Sequence, residues 1–177
     1  MAKSTFIALL RGINVGGKNL LSMKDLSALF VKAGCEEVRT YIQSGNVIFS
    51  CDAALAAKLP AEIGAAILKR FGFEPPVVLR SADELGRVAA GNPFITHEAQ
   101  TLHVAFLAQT PEKKAASSLE AKPPDEFALK GREIYLRCPN GYGKTKLTNA
   151  YFDARLKTVS TVRNWKTVLK LLEMARA

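Results

Sequence analysis

The stretch VRTYIQSGNVIFS, residues 38–50, alternates apolar and polar side chains on each side of Ser44–Gly45. Alternation with a period of two predicts strands, and a serine–glycine pair between two such runs predicts a tight turn that joins them as an antiparallel hairpin. The helix predicted before this stretch therefore leads into a hairpin and not into a single parallel strand.

A strand and a helix are predicted before the hairpin. Thr5–Leu10 is a continuous apolar run, as expected of a strand buried on both faces. Ser22 is a suitable helix N-cap residue, and apolar residues at helical spacing follow it as far as Gly34, a terminating glycine.

A helix and a strand are predicted after the hairpin. An apolar stripe runs from Leu55 to Phe71, and we expect its main helix to begin at Pro60, because a first helical turn tolerates proline. PPVVLR, residues 75–80, predicts a short strand whose prolines favour a sheet edge. The resulting order, β-α-β-β-α-β, is that of a ferredoxin-like lobe.

The second half repeats this order less regularly. Its expected elements are a connecting helix from Ser81 to Gly91, a strand at 101–108, a helix starting at Thr110–Pro111, a hairpin turning at Lys130–Gly131, a helix over about 145–156, and a final helix with Val162, Trp165, Val168, Leu169 and Leu172 on one face. No last strand is recognisable. We therefore predict an α+β fold of two ferredoxin-like lobes packed together, the second less regular and covering the open sheet of the first. The first lobe spans 1–80, a connecting helix and linker span 81–100, and the second α+β lobe with C-terminal helices spans 101–177.

The net charge of +9 is concentrated at the two ends of the chain. Residues 1–24 carry four basic residues and no acidic one, and residues 144–177 carry eight basic residues against two acidic ones. This distribution predicts an anionic partner if the fold brings the ends together, and otherwise only favours solubility.

The three widely separated cysteines and the short apolar runs argue against a disulfide-rich, a zinc-binding and a membrane-spanning protein. The cysteines do not have the spacing of a disulfide scaffold or a zinc site. No apolar run approaches the roughly 18 residues of a membrane span, and the N-terminus lacks a signal-peptide pattern. We expect a cytoplasmic protein with no membrane partner, no metal and no cofactor.

Two glycine-rich loops are the best candidates for ligand binding. In LLRGINVGGKN, residues 9–19, Asn14 replaces the middle glycine of a dinucleotide fingerprint, and a hairpin follows, which argues against dinucleotide binding. In NGYGKTKLTNA, residues 140–150, Cys138 precedes the loop where a P-loop needs glycine, so ATP or GTP hydrolysis is excluded. Each loop is either an anion-binding corner before a helix or a turn with solvated lysines.

Polar residues of two further stretches, TYIQSGN (40–46) and TVRNWK (161–166), complete the candidate site. The predicted ligand-binding residues are Arg11, Asn14, Gly16, Gly17, Lys18, Tyr41, Gln43, Ser44, Asn46, Lys144, Thr145, Arg163 and Asn164. Catalytic residues are not identified, since His103 is expected to pack within a strand and His97 lies in a loop without a nucleophile pattern.

Several blocks together resemble one bacterial family, the domain of unknown function 1697. They are LLRGINVGGKN, VRTYIQSGNVIFS, RFGFEPPVVLRS, NPF, GYGKTKLTNAYF and TVRNWKTVLKL, and the resemblance runs nearly end to end. It implies a two-lobed α+β fold of ferredoxin-like type and no established activity, cofactor or catalytic residue. The family's signature blocks coincide here with Arg11–Asn19, Thr40–Asn46, Gly141–Asn149 and Thr161–Trp165.

Three hypotheses of function remain open. The first is a binding module for a phosphorylated ligand, either a nucleotide-like molecule or a nucleic-acid backbone. The second is an enzyme acting on a phosphorylated or carboxylated metabolite, and the third is a protein-interaction module without a ligand site. The sequence leaves the oligomeric state open.

Overall fold

Two four-stranded antiparallel sheets organise the chain in the computed structural model, which describes residues 2–177. The first compact unit contains the described residues up to Leu85 together with Leu171–Ala177, and the second is Gly86–Lys170. No helix within residues 2–177 combines the length and the apolar character that a membrane crossing requires.

The first unit has the topology predicted for it. Its elements are β1 (Ser4–Leu10), α1 (Met23–Lys32), β2 (Glu36–Tyr41), β3 (Asn46–Cys51), α2 (Ala53–Phe71) and β4 (Val77–Ser81), and its strands lie in the order β2-β3-β1-β4. The predicted hairpin, the central first strand and the edge position of the last strand are confirmed. The helix α3 (Ala82–Ala90) follows β4 directly, as expected.

The second unit has the same topology as the first. Its elements are β5 (Leu102–Leu107), α4 (Lys113–Ala116), β6 (Glu126–Lys130), β7 (Glu133–Arg137), α5 (Asn149–Leu156) and β8 (Ser160–Asn164), in the strand order β6-β7-β5-β8, and α6 (Trp165–Arg176) follows. The fold is therefore α+β with two ferredoxin-like arrangements. The prediction that the second lobe lacks a last strand was wrong.

The missed strand β8 runs directly into α6. Arg163 and Asn164, expected at a helix start, are its last residues. Asn164 also caps α6, because its Oδ1 accepts a hydrogen bond from the Thr167 N–H at 2.8 Å. The strand was missed because Val162 has helical spacing to Trp165, so the sequence pattern assigned it to the helix.

The boundaries of three helices also differ from expectation. α2 begins at Ala53 and not at Pro60, because Asp52 accepts a hydrogen bond from Leu55 N and caps the helix about two turns earlier. α5 begins at Asn149 and not near 145, and a short 3₁₀ turn, Tyr142–Lys144, lies before it. The helix expected from Thr110–Pro111 is the single turn α4.

Each sheet packs one face against the helices of its own unit. The first core centres on Phe30, Phe49 and Ile63, and the second on Ile134, Leu136 and Phe152. Trp165 is buried, as predicted, but Val162 lies on β8 and Leu169 is exposed, so the predicted apolar face of the last helix was partly wrong.

Chain segments that follow the last strand of each repeat lie over the other faces. In the first unit, Arg39 on β2 donates a hydrogen bond to the Met174 carbonyl at 2.9 Å, and Arg39 shares its face of the sheet with Ile48. In the second unit, the Tyr135 hydroxyl on β7 donates to the Val88 carbonyl at 2.8 Å. These bonds place the end of α6 on the first sheet and the end of α3 on the second.

Candidate anion-binding site

The first glycine-rich loop is a small hairpin of its own. Lys18 N–H donates to the Val15 carbonyl at 3.0 Å, and Gly16 and Gly17 between them have φ angles of 58° and 72°. Two successive positive φ angles define a type I′ turn, which strongly favours glycine or asparagine. The turn alone thus accounts for this pair of glycines.

Asn14 joins this hairpin to the β2–β3 turn. Its Oδ1 accepts from Leu21 N at 2.8 Å, and its Nδ2 donates to the carbonyls of Leu21 and Gln43 at 2.8 and 2.9 Å. Asn46, which is buried, similarly donates to the Tyr41 carbonyl and the Ser44 hydroxyl. The predicted site segments 11–19 and 40–46 are therefore in contact. The side chains of Asn14 and Asn46 already form hydrogen bonds within the protein.

The start of α1 is not arranged for an anion. Ser22 caps the helix and Asp25 lies in its first turn, where its carboxylate pairs with Arg70 at 3.4 Å. A carboxylate already occupies the position that the helix dipole offers to negative charge. Of the predicted cations, Lys18 is exposed and Arg11 is half-buried and engaged with other groups of the protein.

The second glycine-rich loop is fixed from inside by Thr145. This buried hydroxyl donates to Asp125 Oδ2 at 2.7 Å and accepts from Leu147 N at 3.1 Å. The loop backbone closes on itself, with Gly141 N donating to the Cys138 carbonyl at 3.0 Å. Thr145 thus positions the loop, and Lys144 beside it is exposed.

Three lysines converge beside this loop on a cleft of about 160 Å³. We call it the lysine cleft, and its lining residues are Glu120, Lys122, Pro123, Pro124, Asp125, Asn140, Lys144, Lys146 and Leu147. The pKa of Lys146 is lowered from its ordinary value of 10.5, first by a hydrogen bond with the Lys122 amine and then by repulsion from its charge. Lys122 was not predicted, because it lies on a different segment from the loop, and Lys146 was not predicted although it lies within the loop.

A larger groove of about 590 Å³ lies between α1 and α2. Ala28, Leu29 and Ile63 contribute to its mostly apolar lining, and Lys32 and Glu62 carry opposite charges along it. No residue predicted from the sequence as a ligand contact lines this groove.

Comparison with known proteins identifies the family. The model of the family described as a protein of unknown function, DUF1697, matches residues 3–135. The chain belongs to the DUF1697 family. A solved structure of the conserved bacterial protein SP0830 from Streptococcus pneumoniae is similar over 98% of this chain and 99% of its own, with 25% sequence identity and a TM-score of 0.78. No curated protein matches the chain.

Two buried arginines occupy equivalent strand positions in the two units of this DUF1697 protein. Arg163 on β8 donates from Nη1 to Thr161 Oγ1 at 2.8 Å and to the Val162 carbonyl at 3.0 Å, and burial lowers its pKa to about 10. Arg80 on β4 donates to the Leu79 carbonyl at 2.8 Å. Arg163 and Asn164 were both predicted as ligand contacts, but neither residue lines the lysine cleft.

The predicted cations are divided between the units. Arg11 and Lys18 belong to the first unit, and Lys144 and Arg163 belong to the second. That the two basic ends of the chain form one site in this DUF1697 protein stays a prediction.

The two histidines have different environments. Burial lowers the pKa of His103, whose ring lies tilted by 30° against that of Tyr142 with 4.7 Å between the centroids, as expected for a packed strand residue. Burial also raises the pKa of Tyr142 to about 12. His97 is exposed, and within residues 2–177 no group of three or more histidine, cysteine or acidic side chains is arranged to hold a metal ion.

Proposed function

We propose that this protein binds a phosphorylated anion in the lysine cleft of its second unit. The observation that carries the proposal is the lysine cleft itself, which Lys122, Lys144 and Lys146 line together. Like charges held together repel each other, and an anion between them would convert the repulsion into attraction.

The size of the cleft indicates which part of a ligand it contacts. Sites that enclose a whole small molecule have volumes of roughly 300–1,000 Å³, whereas this cleft has about 160 Å³. It suits one phosphoryl or pyrophosphoryl group, with the rest of the ligand outside. This arrangement fits a nucleotide-like molecule or a nucleic-acid backbone.

Two carboxylates moderate the positive charge of the cleft. Glu120 and Asp125 also line it, and Asp125 already accepts the hydrogen bond of Thr145. The lysines are exposed, so their attraction for an anion is screened by salt. We therefore expect binding that weakens steeply as ionic strength rises.

The test is calorimetric titration of the protein with inorganic pyrophosphate at 20 and 200 mM salt. We expect Lys122→Ala, Lys144→Ala and Lys146→Ala each to weaken binding about tenfold, the effect of about 1.4 kcal/mol on an equilibrium constant. The matched control is Lys113→Ala, which removes an exposed lysine of α4 that does not line the cleft.

Equal affinity of the cleft variants and the control would contradict the proposal. So would binding that does not respond to salt, because contacts made by exposed ammonium groups must weaken with screening.

A further inference from the structure

Three aliphatic side chains project from the joined loops of the first unit. Val15, Leu20 and Ile42 are 62%, 66% and 50% exposed. We call these three residues the loop patch. Single exposed aliphatic residues are ordinary, but a cluster on neighbouring loops marks a contact surface.

The Asn14 side chain joins the loops that carry these three residues. It bonds to Leu21 and to Gln43, and it lies next to Val15 in the chain. Leu20 precedes Leu21, and Ile42 precedes Gln43. Each member of the patch is thus the direct neighbour of a residue in this one hydrogen-bonded cluster.

Ile42 is held outward in a strained backbone conformation. Its φ is 50°, in the left-handed region that β-branched residues rarely adopt. The turn beside it is tightly packed, since a Cβ at Gly45 would approach Ile13 Cδ1 and Leu10 Cβ to 2.9 Å. Strain of this kind persists only where surrounding structure imposes it, and it clusters at functional surfaces.

The two loops that carry the patch have a positive net charge. Residues 11–22 and 42–45, which form the two loops, include Arg11 and Lys18 and no carboxylate, and Lys24 and Asp25 follow in the first turn of α1. Aliphatic tips with basic neighbours complement a surface that is apolar inside and anionic outside. A bilayer interface has that chemistry, and it accepts a projecting turn without a matching cavity.

We propose that the loop patch docks this protein on the surface of an anionic phospholipid bilayer. Val15, Leu20 and Ile42 enter the boundary between headgroups and acyl chains, and Lys18 meets the anionic headgroups. The contact is peripheral and needs no membrane-spanning helix, so it departs from the sequence-based expectation of no membrane partner. It does not depend on the lysine cleft.

The test is co-sedimentation of the full chain with vesicles of phosphatidylglycerol and phosphatidylcholine, and with vesicles of phosphatidylcholine alone. We expect binding to the anionic vesicles only. The triple variant Val15→Ser, Leu20→Ser, Ile42→Asn should reduce it at least tenfold, and Lys18→Glu should reduce it severalfold. Asparagine suits position 42 because it tolerates a positive φ, so the variant keeps the fold.

The matched control replaces three aliphatic residues of similar exposure elsewhere, Val31→Ser, Leu68→Ser and Leu169→Ser. It should bind as the unchanged protein does. Absence of binding to anionic vesicles at low salt would overturn the proposal, as would equal loss in the patch and control variants. Loss on Lys144→Ala with the patch variant unaffected would place lipid binding in the second unit and overturn it too.

Discussion

Gly45 meets two constraints at once in the turn between β2 and β3. Its φ is 86°, and an added Cβ would lie 2.9 Å from side-chain atoms of Leu10 and Ile13. Gly131, in the turn between β6 and β7, has a φ of 61° and open space around the position of a Cβ. A side chain at position 131 would therefore meet backbone strain alone, whereas a side chain at position 45 would meet both backbone strain and steric overlap.

We expect Gly45→Ala to destabilise the protein far more than Gly131→Ala. A left-handed alanine costs about 1–2 kcal/mol, and overpacking at position 45 adds about 1–3 kcal/mol. Urea unfolding of the two variants measures the difference. Equal losses of stability would show that the turn around Gly45 relaxes without cost.

His103 should make stability depend on pH. Because burial lowers its folded-state pKa below the ordinary 6.5, the unfolded state binds the proton more tightly. The free energy of unfolding should therefore hold above about pH 6.5 and fall as pH drops through the lower, folded-state pKa. Unfolding in urea across pH 4–8 should show this fall, reduced in His103→Gln.

His97 provides the control for that measurement, because its side chain is exposed. His97→Gln should leave the acid dependence of stability unchanged. An equally steep loss of stability in the His103 and His97 variants would mean that acidic groups, and not His103, set the dependence.

The helix α2 shows how tertiary packing overrides a local signal. Pro60 lies inside the helix, and buried residues on both sides of it, Ala56, Leu59 and Ile63, hold one continuous face against the first sheet. Proline removes one backbone hydrogen bond and crowds the preceding turn. The helix forms across it because the Asp52 cap and the buried face outweigh this loss.

Replacing Pro60 should therefore stabilise the protein. We expect Pro60→Ala to raise the free energy of unfolding by about 2 kcal/mol, less than the ~3 kcal/mol difference in helix propensity because the unfolded chain also gains freedom. Chemical denaturation measures the change. A decrease in stability would indicate that the proline ring makes packing contacts that alanine lacks.

Sequence patterns predicted elements wherever a turn signal separated them. The hairpins at Ser44–Gly45 and Lys130–Gly131 are two examples. They failed at β8, where the helical spacing of Val162 and Trp165 assigned the strand residue Val162 to the following helix. They also missed Lys122 of the lysine cleft, because its approach to Lys146 depends on tertiary packing of distant segments and leaves no local signature.

The two units share one topology, and the chain crosses between them more than once. Leu171–Ala177, the end of α6, belongs to the first unit, although the helix begins in the second. Leu171, Leu172 and Ala175 in this segment are buried. The first unit is therefore completed by the last residues of the chain.

A variant that ends at Lys170 should weaken the first unit selectively. It loses three buried side chains and the carbonyl that accepts the Arg39 hydrogen bond. Hydrogen–deuterium exchange should show a larger loss of protection in β1–β4 than in β5–β8. Equal protection of all strands in the shortened and full chains would show that the segment contributes nothing to the first unit.

The most direct test of anion binding in the lysine cleft is an NMR titration of the Lys146 side-chain amine with and without pyrophosphate. Without an anion, contact with Lys122 keeps the pKa of Lys146 below 10.5. Pyrophosphate in the cleft should raise this pKa above its anion-free value, and Lys122→Ala should raise it even without the anion. A lowered pKa that does not respond to saturating pyrophosphate would contradict the account.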